Sequence, residues 1–156
     1  CIRDSPRRLV FGKRLSKSKY LARYKVADLF LDTWPYNAGT TCSDALRMGL
    51  PVLTCLGNSL VSRMCAGLLN AVNLPELITS SDKEYETLAV ELGNDPEKLK
   101  FIKEKLASNL STAPLYDTPL FTKNLESAFS QMYERYQQEL EPNHIYVEQD
   151  NPKVLK

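Results

Sequence analysis

Between residues 27 and 48 an apolar run, a glycine-containing turn and the start of an amphipathic helix follow one another without interruption. Ala27-Asp28-Leu29-Phe30-Leu31-Asp32 reads as a buried strand and its exit. Trp34-Pro35-Tyr36-Asn37-Ala38-Gly39 reads as a turn, and Thr40 to Met48 as a helix stopped by Gly49, with Pro51 just beyond. Pro51-Val52-Leu53-Thr54-Cys55 then gives a second buried strand. Strand, turn, helix and strand in this order belong to a parallel sheet with helices on its faces, so the fold class is α/β.

The rest of the chain fits that class. Leu9-Val10-Phe11 is expected as a strand, Ser16 to Tyr24 as a helix capped by Ser16, and Ser59 to Asn70 as another helix. A short strand is expected at Glu76–Thr79. Ser81 and Glu84 have the spacing of a capping box for a helix with Tyr85, Leu88 and Leu92 inward and Gly93 at its end. Asp95-Pro96 opens a helix with Leu99, Ile102 and Leu106 on one stripe. Thr118-Pro119 opens the longest one, whose stripe is Phe121, Leu125, Phe129, Met132 and Tyr136 and reads as packing. Residues 6–140 are assigned to one domain and 141–156 to a loose tail. Cys1 to Ser5 does not resemble the start of a folding unit and is left out of the fold argument.

Twenty basic and nineteen acidic residues leave a net charge of +1, without the excess expected of a general nucleic-acid binder. Basic residues do crowd the first twenty-five positions, where a local anionic ligand is compatible with them. No apolar run approaches the roughly 20 residues that span a bilayer, and a cytoplasmic protein without a membrane partner is expected. Cys1, Cys42, Cys55 and Cys65 form no metal-type spacing with His144, so reduced, partly buried thiols are expected.

Chemistry concentrates at the turn. A helix start beyond the carboxyl end of a parallel strand offers free N–H groups and a positive dipole end to phosphate. Gly39 admits close backbone approach, Thr40 and Thr41 add hydroxyls, and Asp44 is placed to accept from ribose hydroxyls. The same spacing, Thr41 to Asp44, also describes an ordinary helix cap, which is the commoner use. Lys17 and Arg23 are the candidate cations, against the usual role of such residues as a solvated face. There is no Walker loop, no G-x-G-x-x-G and no Asp-x-Asp pair to hold a metal on a diphosphate. His144 in the tail leaves no imidazole for a nucleophile system.

The run from Ala27 to Thr33, then Pro35-Tyr36-Asn37-Ala38-Gly39-Thr40-Thr41-Cys42-Ser43-Asp44-Ala45-Leu46, closely resembles the O-GlcNAc transferase/SPINDLY family. The likeness continues through Met48–Thr54, Ser62-Arg63, Leu74–Ile78 and Pro114–Thr118 to the helix ending near Tyr136, and its bacterial tetratricopeptide-repeat members look nearest. This implies the C-terminal, donor-binding half of a GT-B glycosyltransferase: a Rossmann-like parallel sheet with flanking helices. It also implies an inverting, metal-independent transfer of GlcNAc from UDP-GlcNAc to Ser or Thr hydroxyls, with no cofactor beyond that donor substrate.

By the same resemblance Gly39, Thr40 and Thr41 meet the UDP phosphates, and Asp44 meets the ribose. Lys17 and Arg23 are the cations, Lys17 with a catalytic share, and Tyr36 and Asn37 lie near the pyrophosphate or sugar. Tyr20 stands where the family often has a histidine, and Arg47 where an aromatic residue is frequent. Partners implied are a UDP-sugar, a protein acceptor, a missing N-terminal catalytic domain that supplies the base, and tetratricopeptide repeats. Other donors (GDP-fucose, UDP-glucose) and a noncatalytic interaction module are the alternative readings. The fragment alone is expected to be inactive, with an apolar face along its last helix.

Overall fold

The computed structural model describes residues 8–147. Expectations for Cys1 to Arg7, and for the tail beyond residue 147, lie outside the described residues. The centre is a parallel sheet in the order β1-β2-β3: β1 (Phe30–Leu31), β2 (Val52–Cys55) and β3 (Ile78–Thr79). Phe30 pairs with Val52 and Leu31 with Leu53, then Thr54 with Ile78 and Cys55 with Thr79. Every residue of β2 is buried, as a strand flanked on both edges and both faces must be. Of the expected strand at 27–32 only Phe30–Leu31 pairs, and Leu31 is 54% exposed. Among the described residues β1 has a partner on one side only.

Leu9-Val10-Phe11 is not a strand. Val10 and Phe11 are 93% and 89% exposed, and β propensity without a pairing neighbour does not make a strand. The first helix, α1 (Lys17–Arg23), matches the expected segment, although Ser16 makes no side-chain cap. A single 3₁₀ turn, Tyr24–Val26, leads on to β1.

Helix α2 (Thr40–Arg47) crosses from β1 to β2, burying Cys42, Ala45 and Leu46. Gly49 ends it with φ +80°, the left-handed conformation that glycine adopts without penalty. Helix α3 (Met64–Ala71) begins later than the expected Ser59. Its would-be first turn is claimed by hydroxyls: Ser59 N–H donates to Ser62 Oγ at 2.9 Å, and Ser62 Oγ donates to Ser59 O at 3.1 Å. Such local bonds compete with the helix ladder.

Helix α4 (Asp82–Asn94) is capped as expected, with Glu84 N–H on Ser81 Oγ, and it runs through Gly93 to Asn94. Asp95 then caps α5 (Pro96–Leu110) through Lys98 N–H, and Asp117 caps α6 (Thr118–Gln137) through Leu120 N–H. Leu92, Ile102 and Leu106 join Leu46, Val52, Leu69, Val72, Leu74 and Leu77 in one buried cluster. The core therefore sits between the sheet and helices α2–α5. Helix α6 stays outside it: the periodicity of its apolar stripe is right, but the described chain buries none of its residues.

Candidate functional site

All three strands point the same way, so the loops after them share one edge of the sheet, where α/β proteins collect their ligand contacts. The loop from Asp32 to Gly39 is the most elaborate. Asp32 is 7% exposed; its Oδ1 accepts from the N–H groups of Thr33 and Ala38, each at 2.8 Å. Its Oδ2 accepts from Thr54 Oγ1 at 2.7 Å. Between these anchors lie a cis Trp34-Pro35 bond and the hydrogen bond from Thr33 Oγ1 to Tyr36 O. Asn37 N–H donates to Val61 O at 3.3 Å, tying this loop to the one after β2.

The loop delivers Gly39 as the residue before α2. No side chain caps that helix and no acid lies in its first turn. The capping box expected from Thr41 and Asp44 is absent. Asp44 instead takes Lys17 Nζ on its Oδ2 at 2.8 Å, joining α1 to α2 across 27 residues of chain. The first-turn N–H groups of α2 thus keep their capacity for an external acceptor. Beside them lies an open cleft of about 350 Å³ lined by Gly39, Thr40, Ser43, Asp44, Met64 and Leu68. A Cβ at Gly39 would stand 2.7 Å from Met64 Cε, so glycine leaves the cleft its mouth.

The candidate residues separate into groups. Gly39, Thr40, Thr41, Asp44 and Lys17 converge on the α2 start. Tyr20 stands beside Lys17, whose Nζ is 5.5 Å from its ring centroid, with Arg23 Cζ at 6.0 Å. Tyr20 and Arg23 nevertheless line a different groove, along the open side of β1 with Val10, Tyr24 and Phe30. Arg23 donates to Lys13 O at 3.1 Å, and its Nε is buried without a partner. Tyr36 is 68% exposed and does not line the cleft. Asn37 is 1% exposed, and its Nδ2 donates to Thr33 O at 2.9 Å. The amide nitrogen of Asn37 thus holds the turn, while its buried Oδ1 has no hydrogen-bond partner.

Three residues emerge only from the fold. Asp32 is visible in sequence as the acid ending an apolar run, but its partners are 1, 6 and 22 residues away. Tyr24 shares a short hydroxyl–hydroxyl bond with Tyr20 and donates to Thr41 O at 3.4 Å, bracing α2 from the α1 side. Burial first, and then the bond to Tyr20, push the Tyr24 phenol upward, so it stays protonated. Tyr116 braces α2 from the other side by donating to Ser43 O at 2.8 Å.

Beneath the site Cys42 and Cys65 touch, sulfur to sulfur, at 3.0 Å. These thiols and Cys55 are free and fully buried rather than partly so. The hydrogen bond with Cys42 and burial both raise Cys65, which makes it inert packing. Among the described residues no group of three or more His, Cys, Asp or Glu is arranged to hold a metal ion, and no helix is long and apolar enough to cross a membrane.

A parallel sheet with crossover helices and an uncapped helix start at its carboxyl edge defines the Rossmann-like α/β class. Within that class the chain belongs to glycosyl transferase family 41, whose model matches residues 3–125. It is 32% identical over 150 residues to a UDP-N-acetylglucosamine–peptide N-acetylglucosaminyltransferase of Caenorhabditis elegans, covering 96% of this chain and 13% of that protein. A probable enzyme of the same description, SPINDLY of Petunia hybrida, is 34% identical over 75% of the chain and 13% of its own length. Among solved structures, a mutant O-GlcNAc transferase of Thermobaculum terrenum superposes with a TM-score of 0.75 and 34% identity. That match covers 80% of this chain and 24% of the other, so the chain spans a minor part of its relatives' length.

Proposed function

We propose that this chain is the donor-binding part of a glycosyltransferase that moves GlcNAc from UDP-GlcNAc to Ser or Thr hydroxyls of proteins. The observation that carries the reading is the uncapped start of α2 set beside the Lys17–Asp44 pair, in a chain of this family. In the transfer an acceptor hydroxyl attacks the anomeric carbon in line, the bond to the diphosphate breaks, and UDP leaves with added negative charge. Preorganised N–H donors and a cation at the leaving group lower the cost of that charge. Gly39, Thr40 and Thr41 supply the donors, Lys17 the cation, and Asp44 the acceptor for ribose hydroxyls. Tyr20 and Arg23, which line the neighbouring groove, and the exposed Tyr36 meet parts of the donor that extend beyond the cleft. No metal step is required, since N–H groups, hydroxyls and Lys17 meet the charge.

Lys17 already rests on Asp44, so binding exchanges one exposed ion pair for another, and such pairs are individually worth about 0–1 kcal/mol. The affinity of this chain alone is accordingly expected to be low. The base, the acceptor site, any tetratricopeptide repeats and a cytoplasmic location belong to the whole protein in this reading.

The test is a titration of the wild-type chain with UDP, UDP-GlcNAc, UDP-glucose and GDP-fucose, followed by amide NMR up to millimolar ligand. Thr41→Ala and Asp44→Ala should each weaken UDP binding, and the sugar panel decides the donor. Unchanged UDP affinity in both variants would falsify the site. The exposed apolar stripe of α6 favours a second reading, a noncatalytic association module. Turnover of UDP-GlcNAc by the complete protein, lost on Lys17→Ala, excludes it.

A further inference from the structure

Asp32 touches no candidate ligand position, yet it joins more elements than any of the site residues described above. Its main-chain N–H donates to Leu53 O at 3.0 Å on β2, and its carbonyl accepts from Tyr85 OH of α4 at 2.9 Å. Its two carboxylate oxygens take Thr33 N–H, Ala38 N–H and Thr54 Oγ1. Both ends of the turn 33–38 therefore hang on a single oxygen, and the second oxygen is fixed to the buried centre of β2. Ala38 is the last residue before Gly39, so this bond sets where the N–H groups of α2 begin.

We propose that Asp32 is a positioning residue for the donor-phosphate turn, acting through Ala38 to aim the N–H groups of Gly39, Thr40 and Thr41. The ligand part of this claim rests on the nucleotide reading given above. Three donors converge on Asp32, and only a carboxylate offers acceptors to all of them without a donor of its own. An asparagine keeps one oxygen for Thr33 and Ala38 and turns its NH₂ toward the Thr54 hydroxyl, which can rotate to accept. Alanine keeps neither anchor. Sites are held to useful geometry by such supporting bonds rather than by the contact groups alone.

The experiment compares wild type with Asp32→Ala, Asp32→Asn and Asn109→Ala, all in the 156-residue chain. Asn109 is the control: its Nδ2 donates to Val72 O at 2.9 Å, a comparable anchor that belongs to α5 and lies off the site. Asp32→Ala should speed amide exchange at Ala38, Gly39, Thr40 and Thr41 relative to the core of α5, and weaken UDP by about tenfold. Asp32→Asn should restore most of both, while moving the Ala38 amide proton upfield as a charge-assisted bond becomes a neutral one. Asn109→Ala should lower thermal stability without changing exchange at the turn or UDP affinity.

Unchanged exchange at Ala38–Thr41 in Asp32→Ala overturns the proposal, as does equal loss of UDP affinity in Asn109→Ala. If Asp32→Ala does not fold, Asp32→Asn decides by itself: an unmoved Ala38 amide proton rejects the bond on which the idea depends. If the wild-type chain binds UDP too weakly to titrate, the affinity comparison is made in the complete protein, while the ligand-free exchange data still decide whether Asp32 governs the turn.

Discussion

Gly39 and Gly49 flank the same helix for different reasons. Gly49 has φ +80°, and nothing stands within 4 Å of where its Cβ would go. Gly39 has φ −98°, outside the left-handed region, but its Cβ would meet the end of Met64. A methionine tip moves at little cost, whereas a left-handed backbone does not become easier when space is available. We expect Gly49→Ala to destabilise by about 1 kcal/mol and Gly39→Ala by less, as read by thermal unfolding. In ligand binding the order should reverse, with Gly39→Ala narrowing the cleft and Gly49→Ala leaving UDP affinity unchanged. Equal melting temperatures for the two variants would show that backbone conformation is not what Gly49 supplies.

At the scale of elements, caps decide where the helices begin. Ser81, Asp95 and Asp117 each accept a first-turn N–H, whereas Ser16 accepts none. Ser81→Ala and Asp117→Ala should each cost about 1 kcal/mol, and Ser16→Ala nothing measurable. The α4 start also carries a pH dependence. Glu84 Oε2 accepts from Ser80 Oγ at 2.7 Å and Ser80 N–H at 2.8 Å, and these bonds hold its pKa below the ordinary 4.5. A depressed carboxyl stabilises the fold above its unfolded pKa, and that contribution fades as pH falls from about 4.5 through the lower folded value. Glu84→Gln should flatten this part of the acid limb in a melting-temperature profile. A profile identical to wild type would mean that the carboxylate does not matter there.

The distribution of apolar surface matters at the scale of the molecule. Helices α2–α5 close one core on the sheet, but α6 leaves Phe121 64%, Phe129 56% and Tyr136 75% exposed. An apolar stripe left this exposed is available for association. The isolated chain should therefore bind a hydrophobic dye or self-associate, and Phe129→Ser with Tyr136→Ser should reduce both without lowering the melting temperature. A drop in melting temperature would instead place α6 in the core.

Much of this was legible in the sequence because it is local. The strand–turn–helix order at 27–48, the stop at Gly49, the β2 run and the Ser81, Asp95 and Thr118 helix starts each depend on residues within a few positions of one another. Motif likeness did the rest for the family, since the contiguous run from Pro35 to Leu46 names it without any knowledge of packing. Where the readings missed, a distant partner was missing or present. Leu9-Val10-Phe11 found no strand to pair with, and the Ser59–Ser62 hydroxyls displaced a helical turn. Asp44 exchanged its cap for Lys17. Asp32 became the centre of the turn through residues as far away as Thr54 and Tyr85. Periodicity and caps are set by the chain's own spacing, and the sequence by itself determined them; which polar groups meet is set by crossings of the sheet, and only the tertiary structure decided that.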